Sequence, residues 1–300
     1  MPTETEEKNR VLGGTLYLVA TPIGNLADLS ERAKKVLSEV DLVAAEDTRN
    51  TAKLLSFFGI SATLISYHEH NKRARGEELC EKLAAGASVA LVTDAGTPAI
   101  SDPGADLVAL CADRGIPVTS VPGCVAGITA LTLSGLPTDR FVFEGFLPVP
   151  KKERRERLEF LQGETRTVIF YEAPHKLRGT LDDLCAAFGA ERSITLCREL
   201  TKLHEEITKT TIGEAVRYYE QNDPRGEYVL VMAGAPAAQA AAEEVTLPDA
   251  VATARLLMTQ GTPPAAAAKQ AAKGTPFSKG DIYKELIAAK DEDDREEESE

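Results

Sequence analysis

The residues best suited to binding a ligand lie between Leu91 and Gly104, in the sequence LVTDAGTPAISDPG. An apolar run over residues 88–93 leads into them and is typical of a buried strand. Ala95 and Gly96 are small enough for a ligand to approach the backbone, and Asp94 offers a carboxylate to hydroxyl or amine donors. The pattern predicts a ligand-binding loop at the carboxyl end of a parallel strand, where open α/β sheets bind ligands.

The end of this loop also predicts how the next helix begins. Asp102 is a typical N-cap residue and Pro103 suits the first helical position, so a helix is predicted over residues 106–114. An ordinary strand-to-helix connection is the alternative interpretation of the whole stretch. Two Pro, two Gly and two Asp within fourteen residues exceed what such a connection needs.

Three further apolar strands each end in a similar loop of polar or small residues. The four loops are Thr21–Leu26, Glu46–Arg49, Asp94–Pro98 and Pro122–Ala126. Since the carboxyl ends of parallel strands meet at one edge of a sheet, the loops are expected to share a cleft. The sequence has neither a G-x-G-x-x-G after the first strand nor a G-x-x-x-x-G-K-[ST] motif. A ligand with adenosine and amino-acid groups therefore fits this cleft better than a polyphosphate.

Strand and helix patterns alternate through the first 133 residues, which predicts a parallel α/β lobe. In the second half, the β-like runs 193–200 and 205–211 are too close for a helical crossover, so antiparallel pairing in a mixed sheet is predicted. Short helices are predicted at 248–259, 263–272 and 278–289. The predicted segments are a disordered extension (1–12), an N-terminal lobe (13–137), a C-terminal lobe (138–235), a linker (236–247), a helical segment (248–290) and an acidic disordered tail (291–300).

Charge and cysteine content narrow the class of protein and its compartment. Of the net charge of −13, the last ten residues carry −7 and the first ten −1, which leaves −5 for the body. Five scattered Cys without a C-x-x-C pair, and no signal peptide or membrane-length apolar run, predict a cytoplasmic protein with free thiols and no membrane partner. DNA binding is not expected, although helix–turn–helix remains an alternative for the last helices.

Motifs along most of the chain resemble one family, the ribosomal RNA small subunit methyltransferases I, within the tetrapyrrole methylase superfamily. The resemblance covers about residues 13–235, and the C-terminal helices also resemble that family's appended helical segment. The motifs that carry it are TPIGNL (21–26), EDTR (46–49), DAGTP (94–98), SDPG (101–104), PG (122–123), SGLP (134–137), F-x-GFLP (143–148), YEAPH (171–175), RELTK (198–202), HEE (204–206) and GEYVL (226–230).

This resemblance implies a two-lobed tetrapyrrole methylase-like fold and a homodimer that binds S-adenosyl-L-methionine between its lobes. It also implies 2′-O-methylation of a cytidine ribose in the decoding region of 16S rRNA. Separately, the acidic body of the protein predicts that the RNA is recognised within the assembled small ribosomal subunit. The donor-binding residues it implies are Pro22, Ile23, Asp94, Thr97, Pro98, Pro122, Gly123, Ala126, Tyr171 and Glu172.

Methyl transfer to a ribose hydroxyl requires an in-line arrangement and help in removing a proton from a poor acid. The candidate catalytic residues are Glu46, Arg49, His175, Arg198, Lys202 and Glu205, with Glu199 and His204 in the same cluster as the last three. Surface ion pairing is the alternative for the Arg198 cluster, and helix capping for His175. No metal is expected, because His68 and His70 have no further ligand at metal spacing.

The basic stretch that follows the first predicted strand of the C-terminal lobe is expected to contact phosphates. The side chains concerned are Lys151, Lys152, Arg154, Arg155 and Arg157. They do not all share one helix face, so a solvated helix surface is the alternative. Two other functions remain open: a methyltransferase of the same fold acting on a tetrapyrrole or a protein side chain, and a non-catalytic ribosome assembly factor.

Overall fold

The computed structural model describes residues 9–236, 246–259, 261–273, 275 and 277–287. The chain divides into two compact units, one ending at Ala235 and the other beginning at Pro236. Residues 1–8 of the predicted extension, 237–245 of the predicted linker and the whole predicted tail, 291–300, lie outside the described residues.

The first sheet has five parallel strands in the order β3-β2-β4-β1-β5, as the alternating pattern predicts. Its strands are β1 (Leu16–Val19), β2 (Leu42–Ala45), β3 (Leu64–Ser66), β4 (Val89–Val92) and β5 (Val118–Val121). The helices that follow them are α1 (Glu31–Glu39), α2 (Thr48–Phe57), α3 (Lys72–Ala84), α4 (Gly104–Asp113) and α5 (Ala126–Ser134). A short 3-10 helix, Leu26–Asp28, precedes α1.

Both faces of this sheet are buried, which explains its nearly continuous apolar strands. Val43 packs on one face with Leu37 of α1, and Leu91 packs on the other with Leu107 of α4. Ser30 caps α1 by accepting a hydrogen bond from the backbone of Ala33, as its sequence position predicts.

The second sheet is mixed, in the order β6-β7-β10-β8-β9. Its strands are β6 (Phe141–Gly145), β7 (Thr167–Glu172), β8 (Ser193–Arg198), β9 (Glu206–Thr211) and β10 (Tyr228–Met232). Only β6 and β7 pair in parallel, and the antiparallel pairing predicted for β8 and β9 is confirmed. Helices α6 (Lys151–Leu161), α7 (Leu177–Phe188) and α8 (Ile212–Gln221) belong to this half, and a 3-10 helix, Pro174–Lys176, precedes α7.

Helix α5 joins the two halves. The sequence assigns it to the first lobe, but Ala130 and Leu131 pack in one cluster with Ile169, Val229 and Val231 of the second sheet. Its counterpart on the opposite face of that sheet is the cluster around Phe170. By packing, therefore, α5 belongs to the second sheet, because its small and apolar residues cover a face that would otherwise be exposed.

The second compact unit contains α9 (Leu247–Thr259), α10 (Pro264–Ala271) and a helix α11 over residues 279–287. Their shared core is built mainly from alanine, with Ile282 and Leu286 from α11. Ser278 accepts a hydrogen bond from the Asp281 backbone at 3.2 Å, in agreement with its predicted capping position.

Candidate functional site

A cavity of about 530 Å³ lies within the first compact unit, between the carboxyl edge of the first sheet and the second sheet. This volume is in the range of small-molecule sites. Loops after β1, β2, β4 and β5 supply one wall, as predicted. The ends of β7 and β8, the start of β10 and the loop after β6 supply the other.

The loop after β1 is tied to the loop after β4 by an isolated backbone bridge. Thr21 donates its N–H to the Gly96 carbonyl at 2.9 Å, and Gly96 donates its own to the Thr21 carbonyl at 3.1 Å. The buried hydroxyl of Thr21 donates to the Thr93 carbonyl at 3.1 Å. These bonds fix Ile23 and Thr97, which both line the cavity.

The loop after β5 is held against the same pair of loops. Thr97 donates its hydroxyl to the Cys124 carbonyl at 2.9 Å. At Gly123, a Cβ atom would lie 2.7 Å from Cβ of Ala20, so only glycine fits without a shift of the backbone. Three loops from three strands thus form one connected wall.

The segment between β4 and α4 contains strained backbone next to the cavity. Ala99 and Ser101 have φ values of 68° and 61°, which non-glycine residues adopt rarely. Asp102 holds this turn, because its carboxylate accepts hydrogen bonds from the backbones of Ala99 and Gly104 at 2.9 and 2.6 Å. The predicted start of the helix was therefore wrong: α4 begins at Gly104, Pro103 is its N-cap, and Asp102 closes the preceding loop.

Aromatic residues form part of the opposite wall. Tyr171 of β7 accepts a hydrogen bond from the Gly127 backbone at 3.0 Å, which ties β7 to the start of α5. Its ring meets those of Phe143 and Phe146 edge to face, with centroids 5.1 and 5.7 Å away. Burial raises the pKa of the Tyr171 hydroxyl, so it stays protonated at neutral pH.

Glu172, the last residue of β7, is a buried carboxylate in this wall, 4% exposed. One oxygen accepts a hydrogen bond from the Ala173 backbone at 2.8 Å, and the other accepts one from the Thr180 hydroxyl. Thr180 in turn accepts a hydrogen bond from the Arg154 guanidinium at 2.7 Å. A buried carboxylate requires such partners.

The ten residues expected to bind the donor fall into two groups. Ile23, Thr97, Ala126, Tyr171 and Glu172 line the cavity. Pro22, Asp94, Pro98, Pro122 and Gly123 belong to the same loops but do not line it. Their positions are consistent with shaping the wall, and the individual roles of all ten stay predictions.

Asp94 faces the loop after β2. Its carboxylate accepts hydrogen bonds from the Asp47 backbone at 3.2 Å and the Asn50 side chain at 3.1 Å. Desolvation, together with repulsion from Glu46, raises the pKa of the Asp94 carboxyl group. In this structure the residue therefore orients the start of α2.

Only two of the six candidate catalytic residues line the cavity, Glu46 and His175. Glu46 accepts a hydrogen bond from the Thr93 hydroxyl at 2.8 Å, while His175 is exposed in the 3-10 helix after β7. Arg49 is also exposed and pairs with Asp47 at 2.6 Å. The structure thus does not bring these six side chains into one cluster.

The other three candidates lie at the end of β8 and in the turn that follows it, and each has a polar partner nearby. Arg198 pairs with Glu206 at 2.7 Å, and Glu205 accepts a hydrogen bond from the Thr201 backbone at 2.6 Å. Burial acts to lower the pKa of Lys202, but hydrogen bonds to Glu199 and Glu227 outweigh it and leave that pKa raised. A lysine held protonated in this way is unsuited to accepting a proton.

The basic side chains of helix α6 fall into two groups by their contacts. Arg154 pairs with Asp183 at 2.5 Å and Arg157 with Glu144 at 2.7 Å, so both tie the helix to its own half of the protein. Lys151, Lys152 and Arg155 are exposed. Phosphate contacts therefore stay a prediction for these three, and Arg154 and Arg157 are better explained by packing.

Several cavity residues were not among the predicted site residues. Those with functional groups or large apolar side chains are Thr93, Ile100, Ser101, Asp102, Val125, Phe146, Cys197, Leu200, Glu227, Tyr228 and Val229. Seven of them lie in motifs already noted, namely Ser101, Asp102, Phe146, Leu200, Glu227, Tyr228 and Val229. Nothing in their local spacing indicates that the chain turns them toward a shared cavity. Burial raises the pKa of the Cys197 thiol to about 12, so it is not a reactive thiolate.

The described residues show neither a metal-binding cluster nor a membrane-spanning helix. No group of three or more His, Cys, Asp or Glu side chains there is arranged to hold a metal ion. No helix there combines the length and apolar character that crossing a membrane requires.

Comparisons with known proteins place this geometry in a family. The model of the Tetrapyrrole (Corrin/Porphyrin) Methylases matches residues 15–216. A uroporphyrin-III C-methyltransferase from Thermus thermophilus, solved in complex with S-adenyl homocysteine, has a similar fold, with a TM-score of 0.51, 16% identity, and coverage of 73% of this chain and 96% of that one.

Closer relatives share about half of the sequence. A protein of Synechocystis sp. named ribosomal RNA small subunit methyltransferase I is 50% identical over 271 residues, which cover 90% of this chain and 96% of the relative. Its namesake from Escherichia coli O157:H7 is 47% identical over 274 residues, with 90% and 94% covered. The chain therefore belongs to the ribosomal RNA small subunit methyltransferase I family, within the tetrapyrrole methylases.

Proposed function

We propose that the protein transfers a methyl group from S-adenosyl-L-methionine to ribosomal RNA of the small subunit. One structural observation carries this function: the cavity joins loops from four parallel strands to the second sheet and is large enough for the donor. The family supports it, since relatives at 50% and 47% identity have names that specify small-subunit rRNA.

The cavity residues suit the chemical groups of the donor. Ile23 and Ala126 are apolar and suit the adenosine part, while the bridge between Thr21 and Gly96 holds two of the wall-forming loops together. The buried carboxylate of Glu172 offers a negative charge to the positive groups of the donor. When bound, S-adenosyl-L-methionine supplies an electrophilic methyl group on a positively charged sulfur, and its transfer leaves a neutral thioether.

The specific reaction we propose is methylation of the 2′-oxygen of a cytidine in the decoding region of 16S rRNA. This follows from the motif resemblance, and the structure adds candidates for one role. The 2′-oxygen forms a bond to the methyl carbon as the carbon–sulfur bond breaks, and the hydroxyl proton must go to a base. Glu46 and His175 are the two candidate bases that line the cavity.

We propose His175 as the base. Imidazole is the side chain best matched to accepting a proton near neutral pH. One oxygen of the Glu46 carboxylate is already engaged by a hydrogen bond from the Thr93 hydroxyl. His175 lies in the 3-10 helix Pro174–Lys176, three residues after Glu172, and lines the cavity.

The substrate and assembly state are also proposals. The body charge of −5 favours an assembled small subunit over stripped RNA, because ribosomal proteins then provide part of the docking surface. A homodimer and a cytoplasmic location follow from the resemblance and the cysteine content.

Transfer of a labelled methyl group tests the proposed activity. The protein is incubated with labelled donor and, in parallel, small subunits, stripped 16S rRNA, stripped 23S rRNA and a tetrapyrrole substrate. Label in 16S rRNA, and most of it with assembled subunits, is the expected result. Donor binding without label in either 16S sample, or label in the tetrapyrrole instead, would contradict the proposed substrate.

A further inference from the structure

The charged residues of the cavity are almost all acidic. Among the described residues that line it, Glu46, Asp102, Glu172 and Glu227 are acids, His175 is the one basic type, and neither Lys nor Arg is present. Of the four acids, Glu172 alone is buried, at 4% exposure. A charge in such a position is poorly screened by water and acts strongly on a ligand next to it.

The hydrogen bonds around Glu172 define its chemical state. Each of its oxygens accepts a hydrogen bond, one from the Ala173 backbone and one from the Thr180 hydroxyl. An oxygen pair that only accepts is the pattern of an ionised carboxylate.

Arg154 supports this hydrogen-bond chain from the far side of Thr180. Its guanidinium only donates, so the Thr180 oxygen accepts from it, and the Thr180 hydroxyl donates its own proton to Glu172. Asp183 holds the same guanidinium at 2.5 Å, and the Arg154 side chain is only 16% exposed. The chain thus runs from helix α6, through α7, to the cavity wall.

We propose that Glu172 distinguishes the cationic donor from its neutral product, and that Arg154 is a positioning residue that acts through Thr180. The inference rests on the proposed function, because it takes S-adenosyl-L-methionine and S-adenosyl-L-homocysteine as the ligands. The two share the adenosine and amino-acid groups and differ by the methyl group and the charge on sulfur. An ionised, buried carboxylate favours the charged ligand and so assists release of the product.

Isothermal titration calorimetry with both ligands tests this. Glu172→Gln removes the charge and keeps the shape of the side chain, so it is expected to weaken S-adenosyl-L-methionine binding about tenfold and S-adenosyl-L-homocysteine binding less than about threefold. Arg154→Met is expected to shift the ratio of affinities in the same direction by about threefold, and Arg154→Lys to restore part of it.

Arg166→Met is the matched control. Arg166 also pairs with a carboxylate, that of Glu164 at 2.6 Å, but it precedes β7 at the end opposite Glu172. It is expected to leave both affinities unchanged. Thermal unfolding of each variant shows whether it is folded. If Glu172→Gln does not fold, the ratio of the two ligand affinities measured for Arg154→Met tests the inference.

Equal losses for the two ligands, or no loss in either, would overturn the inference, since a merely structural role does not discriminate by charge. Failure of the unaltered protein to bind S-adenosyl-L-methionine would contradict the proposed function instead. The two failures are therefore distinguishable in one set of titrations.

Discussion

Thr21 and Gly96 exchange two backbone hydrogen bonds, at 2.9 and 3.1 Å, although they follow different strands of the sheet. Gly96 has a φ of 89° at this point, a conformation that glycine adopts without strain. The bridge thus depends on glycine at position 96. The positions of Ile23 and Thr97 depend on the bridge in turn.

Replacing this glycine is expected to affect both stability and binding. Gly96→Ala should lower the free energy of unfolding by about 1 kcal/mol, because alanine is strained at positive φ. Its Cβ would also lie 3.4 Å from the Cys124 carbonyl oxygen and from Ile23, which leaves little room for the strained backbone to relax. We therefore expect the loops to move and donor affinity to fall. Chemical denaturation and calorimetry measure the two effects.

Gly115→Ala is the control for this prediction. Gly115 has a φ of 65° and no atom within 4 Å of an added Cβ, and it lies in the turn after α4. A similar loss of stability with unchanged donor affinity is expected. Equal losses of affinity in both variants would show that the effect is one of global stability.

A second prediction concerns the proposed base. His175→Asn should lower the rate constant of methyl transfer about 100-fold, the lower end of what general-base catalysis contributes. Donor affinity should stay within about twofold, because the proposed base acts on the ribose hydroxyl and is not required to hold the donor. His70→Asn, an exposed histidine after β3, is the control and should be as active as the unaltered protein.

The variant Glu46→Gln tests whether Glu46 is the base instead of His175. If His175→Asn retains full activity and Glu46→Gln loses it, the carboxylate is the proton acceptor and the proposed role of His175 is wrong.

The third prediction concerns the contact between two loops of the first sheet. Asp94→Ala removes the acceptor of the Asn50 side chain and the Asp47 backbone, so it should lower the free energy of unfolding by about 1 kcal/mol. In a double-mutant cycle with Asn50→Ala, a coupling of about 0.5 kcal/mol or more is expected, measured by denaturant titration. Strict additivity would mean that the Asp94–Asn50 hydrogen bond contributes nothing to stability.

The fourth prediction is that the free energy of unfolding depends on pH through the Glu164–Arg166 ion pair, just before β7. Hydrogen bonds from Arg166 lower the pKa of Glu164 from its usual 4.5 to about 2. The carboxylate therefore stabilises the fold above pH 4.5, and this contribution is lost as the pH falls toward 2. Because the pair is partly exposed, its size is expected to be below about 1 kcal/mol.

Unfolding of the unaltered protein and of Glu164→Gln should therefore differ most at pH 6 and less at pH 3, in denaturant titrations at each pH. A difference that grows as the pH falls would contradict this assignment.

The sequence predicts the fold well where hydrophobic pattern and turn chemistry agree. Both sheets, the antiparallel pairing of β8 with β9, and the caps Ser30 and Ser278 follow from local rules. The prediction of Asp102 as a helix N-cap was wrong, because the same carboxylate can cap a helix or close the preceding loop. Ala99 and Ser101 adopt left-handed backbone conformations, so the chain forms a loop before the helix begins. Residue types alone do not predict such strained conformations.

The site was predictable as a set of loops and not as a set of side chains. Positions after parallel strands must share an edge, so the loops that contain Ile23, Glu46 and Thr97 were expected to meet. The individual residues come from the family resemblance, and their roles stay predictions. Which side chains face the cavity depends on long-range contacts, such as Tyr171 with Gly127 across 44 residues of sequence. Ion pairs of Arg198 and Lys202 likewise become visible only once the turn between β8 and β9 is formed.

The most direct test of the central proposal is the identity of the methylated group. Small subunits treated with the protein and labelled donor are stripped, and the RNA is digested to nucleosides and mapped by mass spectrometry. A single 2′-O-methylcytidine in the decoding region of 16S rRNA is the expected result. A methyl group on a base, or label confined to protein, would contradict the account.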